Sequence, residues 1–310
     1  MRRAATIEAA GVVVPAHNEE GLLPACLVAL RRAVNAVGIP AQVLVVADTC
    51  TDQTAVTAQA CGVRVTSIRA RNVGVARAAG MTELLRLTAG RDPAAVWLAT
   101  TDADTVVPPG WLRRQLSYAG RGWDVVLGTV EVADWDEYPP HVPAAFDALY
   151  ESGTGPHPHV HGANLGIRAS AYLAAGGFRP LRTAEDHALL AAATEAGCPV
   201  VQAGDLTVQT SGRRQARAPR GFSHLLRTLA PLPNAPAGSL SPRVARCRHG
   251  SAVWPEAPGN GVRAGWSRAG PRRGSRRPPR RCRRPALAYA PGRPAAGDAG
   301  PSASPPPASR

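Results

Sequence analysis

No lysine occurs in the 310 residues; all 36 basic side chains are arginine, a bias that points to a GC-rich gene. No apolar run reaches the roughly 18 residues that a membrane span requires, so any membrane contact is expected to be peripheral. The first residues are not expected to be a signal peptide either. Met1-Arg2-Arg3 is followed by a stretch that Glu8 interrupts and His17-Asn18-Glu19-Glu20 ends. A cytoplasmic location is therefore expected, either free or on the cytoplasmic face of the membrane. The six cysteines (Cys26, Cys50, Cys61, Cys198, Cys247, Cys282) include no C-x-x-C pair. Their spacing suits neither a zinc site nor a small disulfide scaffold, and the first four read as ordinary thiols of a reducing compartment.

The formal charge of +14 is unevenly placed. Residues 1–230 carry 21 Arg against 20 acidic residues, whereas the last 80 residues carry 15 Arg against only Glu256 and Asp298. The division therefore falls near Ala230: a domain over 1–230, then an Arg/Pro/Ala/Gly-rich tail over 231–310. The tail has no hydrophobic periodicity and contains the run 272–281, Arg-Arg-Gly-Ser-Arg-Arg-Pro-Pro-Arg-Arg. It is expected to be disordered, because it cannot bury enough apolar surface to offset ordering entropy. Three readings stay open for it: a basic arm for RNA or anionic lipid, a flexible tail without a specific role, or an out-of-frame end of a GC-rich gene. The abrupt change after Gly221–Leu229 bears on the third.

Within the first 230 residues, strand and helix patterns alternate. Strand candidates lie at 11–15, 42–47, 63–68 and 95–100. Helical stretches lie near 19–37, 52–61 and 73–89. This βαβαβαβ order predicts an α/β fold with a largely parallel sheet and right-handed crossovers. A short helix from Pro108-Pro109-Gly110 through Tyr118 and a strand over 124–132 follow. Residues 134–161 read as a substrate loop around a short helix near 143–151. His157, His159 and His161 alternate within it and would share one face of a strand. They read as loop histidines touching phosphate or acceptor, with a metal cluster as the alternative. A helix from Ser170 should end at Gly176-Gly177 as a left-handed cap. Thr183 is placed to cap the helix that begins with Glu185-Asp186. Val200-Val201 and Leu206-Thr207-Val208 read as late strands, and Arg213, Arg214 and Arg217 as a solvated turn or partners for a diphosphate or an anionic surface.

Three strand ends carry acidic or amide side chains, and in a parallel sheet they line one crevice. The first is Pro15-Ala16-His17-Asn18-Glu19-Glu20, with Asn18 as helix N-cap and a loop suited to base and ribose. The second is Asp48, whose carboxylate can accept N–H groups of a nucleobase, with Thr51 and Asp52 beyond it. The third is Asp102-Ala103-Asp104. Two hard oxygen ligands at that spacing can hold Mg²⁺ or Mn²⁺ and leave coordination positions for phosphate oxygens. An isolated pair of this kind would more simply be a solvated acidic turn; the two other strand ends argue against isolation. Glu185-Asp186 taken alone would be acidic side chains opposing a helix dipole.

Over roughly residues 10–230 these stretches, in this order, resemble the family 2 glycosyltransferases of GT-A fold. The resemblance implies a Rossmann-type three-layer sandwich with a mostly parallel central sheet. It implies that Pro15, Ala16, His17, Asn18 and Glu19 contact the nucleotide, and that Asp48 reads the base. Asp102 and Asp104 would hold the metal and diphosphate, and Gly162-Ala163-Asn164 would line the donor-sugar and acceptor site. Asp186, or failing that Glu185, would be the catalytic base. The activity implied is inverting transfer of a sugar from a nucleotide diphosphate donor to an acceptor hydroxyl, of lipid, carotenoid-like or small polar type. The family's processive members carry Gln-x-x-Arg-Trp and membrane helices, neither of which is present, so chain polymerisation is not expected. Two rivals stand beside this reading. A sugar-phosphate nucleotidyltransferase would need a Gly-rich phosphate loop after the first strand, where this chain has no glycine until Gly21. A binding protein would hold nucleic acid with the basic tail; under the transferase reading no specific nucleic-acid partner is expected.

Overall fold

The computed structural model describes residues 5–150, 157–215 and 222–230. The expected tail over 231–310, with Cys247 and Cys282, and Arg217 lie outside the described residues. Strands and helices first alternate: β1 (Ala9–Ala16), α1 (Leu23–Asn35), β2 (Ala41–Asp48), α2 (Thr54–Ala60), β3 (Arg64–Ile68), α3 (Val73–Leu87) and β4 (Val96–Thr100). There follow β5 (Thr105–Val106), α4 (Trp111–Gly120), β6 (Val125–Val132), α5 (Val142–Leu149), β7 (Leu165–Arg168), α6 (Ala169–Ala174), α7 (Glu185–Glu195), β8 (Val200–Thr210) and α8 (Phe222–Leu229). The eight strands form one sheet in the order β3-β2-β1-β4-β7-β6-β8-β5.

The first half of that sheet is parallel, as the apolar runs predicted: β1 pairs with β2 and β4, and β2 with β3. Val12, Val13 and Val14 are all fully buried. Such a run without alternation is the mark of a strand covered on both faces. Val12 and Val14 pack on the side of Leu23, Cys26 and Leu30 from α1, and Val13 on the side of Met81 and Leu84 from α3. The close approach of α3 depends on Gly80, where a Cβ would lie 2.4 Å from a Val13 methyl.

The second half is mixed. β7 runs antiparallel to both β4 and β6, β8 runs parallel to β6, and β5 antiparallel to β8. Neither β7 nor β5 was anticipated, because four and two residues are too few to show a period. The two late apolar patches are one strand, β8, with an irregularity opposite Gly128/Thr129. Gly176 and Gly177 adopt φ of +77° and +76° after α6, as expected of a left-handed cap.

Two expected caps are corrected. α1 starts at Leu23 without a side-chain cap, and Asn18 is not its N-cap. The Glu19 N–H instead donates to Thr54 Oγ1 (2.7 Å) and the Glu20 N–H to Asp52 (3.1 Å), so these donors are satisfied across the loop. At α7 the N-cap is Ala184, in left-handed conformation, rather than Thr183. Cys26, Cys50, Cys61 and Cys198 are free thiols. Among the described residues no helix is long and apolar enough to cross a membrane.

Candidate active site

The parallel register sets β1, β2 and β4 side by side, with Ala16 opposite Ala47 and Val13 opposite Thr100. Their exit loops, 17–22, 49–53 and 101–104, therefore meet at one edge. Ala103 is buried in the core facing α1. The carboxylates on either side of it meet different arginines. Asp102 Oδ1 accepts from Arg77 Nη2 at 2.5 Å, and Asp104 Oδ2 pairs with Arg213 Nη2 at 2.8 Å. Burial, joined by the nearby charges of Asp102 and Glu19, pushes Asp104 up to about 6 in spite of Arg213.

Arg77 projects from the buried face of α3, among Ala76, Gly80, Met81 and Leu84. It donates to Asp102, to Glu185 in a very short contact, and to Thr100 Oγ1 at 3.3 Å. Burial opposes its charge, but Asp102, Glu185 and Asp186 outweigh that and hold it above the usual arginine value. The backbone of Gly162 lies against the guanidinium, where a Cβ would come 2.3 Å from Arg77 Cζ. The Gly162 N–H donates to Asp186 Oδ2 (2.8 Å), and Asp186 Oδ1 accepts the His187 N–H (2.8 Å). One guanidinium thus joins the end of β4 to the first turn of α7. Glu185 is buried, and burial raises its carboxyl against the pull of Arg77.

The residues where β1 and β2 exit are drawn together by their own contacts. His17 Nδ1 donates to the Asp48 carbonyl at 2.7 Å, which sets its tautomer. Asn18 Oδ1 accepts the Thr51 N–H at 2.8 Å. Glu19 receives both Nη groups of Arg213, at 2.6 and 2.7 Å. Pro15 and Ala16 close β1 beside them, and Cys50 Sγ lies 3.4 Å from the Ala16 carbonyl. An open cleft of about 390 Å³ is lined by Asn18, Glu19, Glu20, Leu22, Asp52 and Arg213. Four residues other than glycine have left-handed backbones among the described residues: Asn18, Thr49, Arg71 and Ala184. The first three lie where β1, β2 and β3 exit and the fourth precedes Glu185. Strain of this kind persists where surrounding structure enforces it, commonly at functional sites.

Two expected contacts are redirected. Asp48 spends its carboxylate on its own chain: Oδ1 accepts Ala70 N–H, Arg71 N–H and Thr49 Oγ1, and Oδ2 accepts Asn72 N–H. Burial would raise its carboxyl, but those amides outweigh it and hold it below the usual range. Asp48 therefore fixes the 70–72 turn rather than standing open to a base. Asn164 is fully buried, accepting Trp111 Nε1–H (2.8 Å) and donating to the carbonyls of Thr129 (2.8 Å) and Leu206 (2.7 Å). Its amide has no face left for a sugar. His157, His159 and His161 stack successively, with Tyr150 lying 3.8 Å from His159 between ring centroids.

With this geometry in hand, the sequence profile described as Glycosyl transferase family 2 matches residues 11–174. The chain belongs to that family. Its fold is the GT-A fold. Among solved structures it is similar to Staphylococcus aureus TarS 1–349 in complex with UDP-GlcNAc, at 15% identity and a TM-score of 0.50, covering 67% of this chain and 60% of that one. It thus spans about 60% of the length of that structure. It is also similar to the mannosyltransferase PcManGT from Pyrobaculum calidifontis in complex with GDP-Man and Mn²⁺, at 17% identity and a TM-score of 0.48, covering 72% and 69%. No curated protein matches it.

Two residues of this candidate site escaped sequence reasoning in whole or part. Arg77 was missed, although an arginine on the otherwise small and apolar face of a helix was a usable signal. Arg213 was noted only as a turn residue or a diphosphate partner, and nothing local announces its pairing with Glu19. Among the described residues no group of three or more His, Cys, Asp or Glu side chains is arranged to hold a metal ion. Asp102 and Asp104 still suit a hard divalent ion, which is commonly held by one or two carboxylates with substrate phosphates completing the shell.

Proposed function

We propose that this glycosyltransferase moves a sugar from a nucleoside diphosphate donor to an acceptor hydroxyl with inversion at the anomeric carbon. The observation that carries the reading is the Arg77 bridge, which gathers Asp102, Glu185 and Asp186 into one cluster. Asp186 is the base. Its carboxylate is oriented by the Gly162 and His187 amides and takes the proton of the acceptor hydroxyl as that oxygen attacks. Such assistance contributes about 10²–10⁴-fold. Glu185 is sealed behind Arg77 and neutralises it, so the base role falls to its neighbour. The bond from the anomeric carbon to the diphosphate breaks as the new one forms, and negative charge collects on the leaving group. Asp102 and Asp104 would hold Mg²⁺ or Mn²⁺, which supplies charge stabilisation to the departing diphosphate when bound. The donor is read by the loops bearing Pro15 to Glu19 and Thr49 to Asp52, with Asp48 as their support. The catalytic domain is taken to end near Ala230.

Asp186→Asn tests the assignment. Turnover should fall at least about 10²-fold while donor affinity, measured by calorimetry, stays within about twofold. Loss of donor binding would show that Asp186 serves the donor instead. Hydrolysis screened across UDP-, GDP- and dTDP-sugars with Mn²⁺ identifies the donor.

A further inference from the structure

Arg213 stands where an incoming cation would have to go. It follows the end of β8, and its two Nη groups grip Glu19 at 2.6 and 2.7 Å. The same Nη2 also reaches Asp104 Oδ2 at 2.8 Å. One nitrogen is therefore shared between two carboxylates, and Arg213 Nε is buried without a hydrogen-bond partner. Giving up Asp104 would cost Arg213 one contact and leave the fork to Glu19 intact. A divalent ion attracts a carboxylate about twice as strongly as a monovalent guanidinium at equal distance. Exchange at Asp104 is thus downhill in charge, while Glu19 keeps the arginine at the site. The strongest anion then within reach is a diphosphate, whose oxygens match the guanidinium fork.

We propose that Arg213 is an exchangeable internal cation. It neutralises Asp104 while no divalent ion is present, yields that carboxylate to Mg²⁺ or Mn²⁺, and turns the released N–H to the donor's diphosphate. This rests on the reading of Asp104 as a metal ligand given above.

The test compares full-length wild type, Arg213→Met and Arg213→Lys by calorimetry, with circular dichroism confirming that each is folded. Two affinities are measured: Mn²⁺ alone, and UDP and GDP in saturating Mn²⁺. Removing the competing cation should tighten Mn²⁺ binding about tenfold, while removing the phosphate donor should weaken the nucleotide about tenfold. Opposite shifts are the signature, because a structural strut would weaken both. Arg213→Lys keeps the charge but loses the fork, so both of its values should fall between those of the other two proteins; it carries the test if Arg213→Met does not fold. Mn²⁺ binding that is unchanged or weaker in both variants overturns the inference alone. A wild type that binds no Mn²⁺ in either condition, with Asp104→Asn leaving nucleotide affinity unaltered, overturns the metal reading and this inference with it.

Discussion

The two halves of the sheet are held by different forces. In the parallel half, β3-β2-β1-β4, the central apolar strands β1 and β2 are packed between α1 and α3, and the strand ends are left to carry polar side chains. In the mixed half, β7-β6-β8-β5, buried polar side chains connect the elements. Asn164 ties α4 to β6 and β8. Arg168 joins β7 to Asp124 (2.7 Å) and to the Ala119 carbonyl (2.9 Å) at the end of α4. The contrast teaches that a site built on apolar strands can be read from their ends, whereas one closed by buried polar pairs cannot.

The strongest way to break the comparison is to cut the link between the halves. Arg77→Met should destabilise the fold by about 4 kcal/mol, because it leaves Glu185 buried and Asp102 without its cation. Denaturant unfolding measures it, and a loss below about 1 kcal/mol would show that Arg77 is not the joint between them. Asn164→Leu removes the partner of Trp111 Nε1 and of two carbonyls inside the mixed half, and should cost about 3 kcal/mol. Donor affinity of the folded protein should barely move; a large loss would return Asn164 to the sugar site. In the parallel half, Gly80→Ala drives a methyl onto Val13 and should cost about 2 kcal/mol by forcing α3 outward. A neutral result in thermal unfolding would mean that α3 packs less closely than drawn here.

The smallest effect is one of pH, and it has opposite signs in the two regions. His161 is pushed down to about 3, chiefly by desolvation. Its unfolded form therefore takes up a proton first, and stability falls as pH drops from about 6.5 towards 3. Its half-buried position lets solvent screen part of the cost, leaving about 1 kcal/mol lost at pH 5 relative to pH 7. Asp104, pushed up to about 6, works the other way: the folded state binds its proton more readily, so acidification from 6 towards 4 relieves a cost. The measurement is thus a difference between two proteins. Wild type should lose more stability than His161→Phe between pH 7 and pH 5, and parallel pH profiles would refute the assignment.

Legibility followed the same division. The runs at 11–15, 42–47 and 95–100 were recoverable because a strand buried on both faces is apolar throughout, and β1, β2 and β4 lie there. The stretch 63–68, where β3 lies, reads Arg-Val-Thr-Ser-Ile from Arg64 on and has no fully buried residue. Asp102, Asp104 and Asp186 stood out in the sequence because they sit at strand and helix ends where polarity changes sharply. The roles of Asp48 and Asn164 were not, because a saturated carboxylate or amide looks the same in sequence as an open one. The starts of α1 and α7 failed for a related reason. The Glu19 and Glu20 amides ahead of α1 found partners across the loop, and α7 starts from the left-handed Ala184, so neither start follows a local side-chain cap.

By itself the amino-acid order determined the α/β alternation, the parallel core and the acidic strand ends, because these follow from periodicity and from side chains within a few residues of one another. Only the tertiary structure decided which cation meets which carboxylate. Arg77 finds partners 25 and 108 residues away, and Arg213 finds Glu19 across 194 residues. Coulomb attraction and hydrogen bonding depend on distance in space, and the chain had to close its sheet before those distances existed.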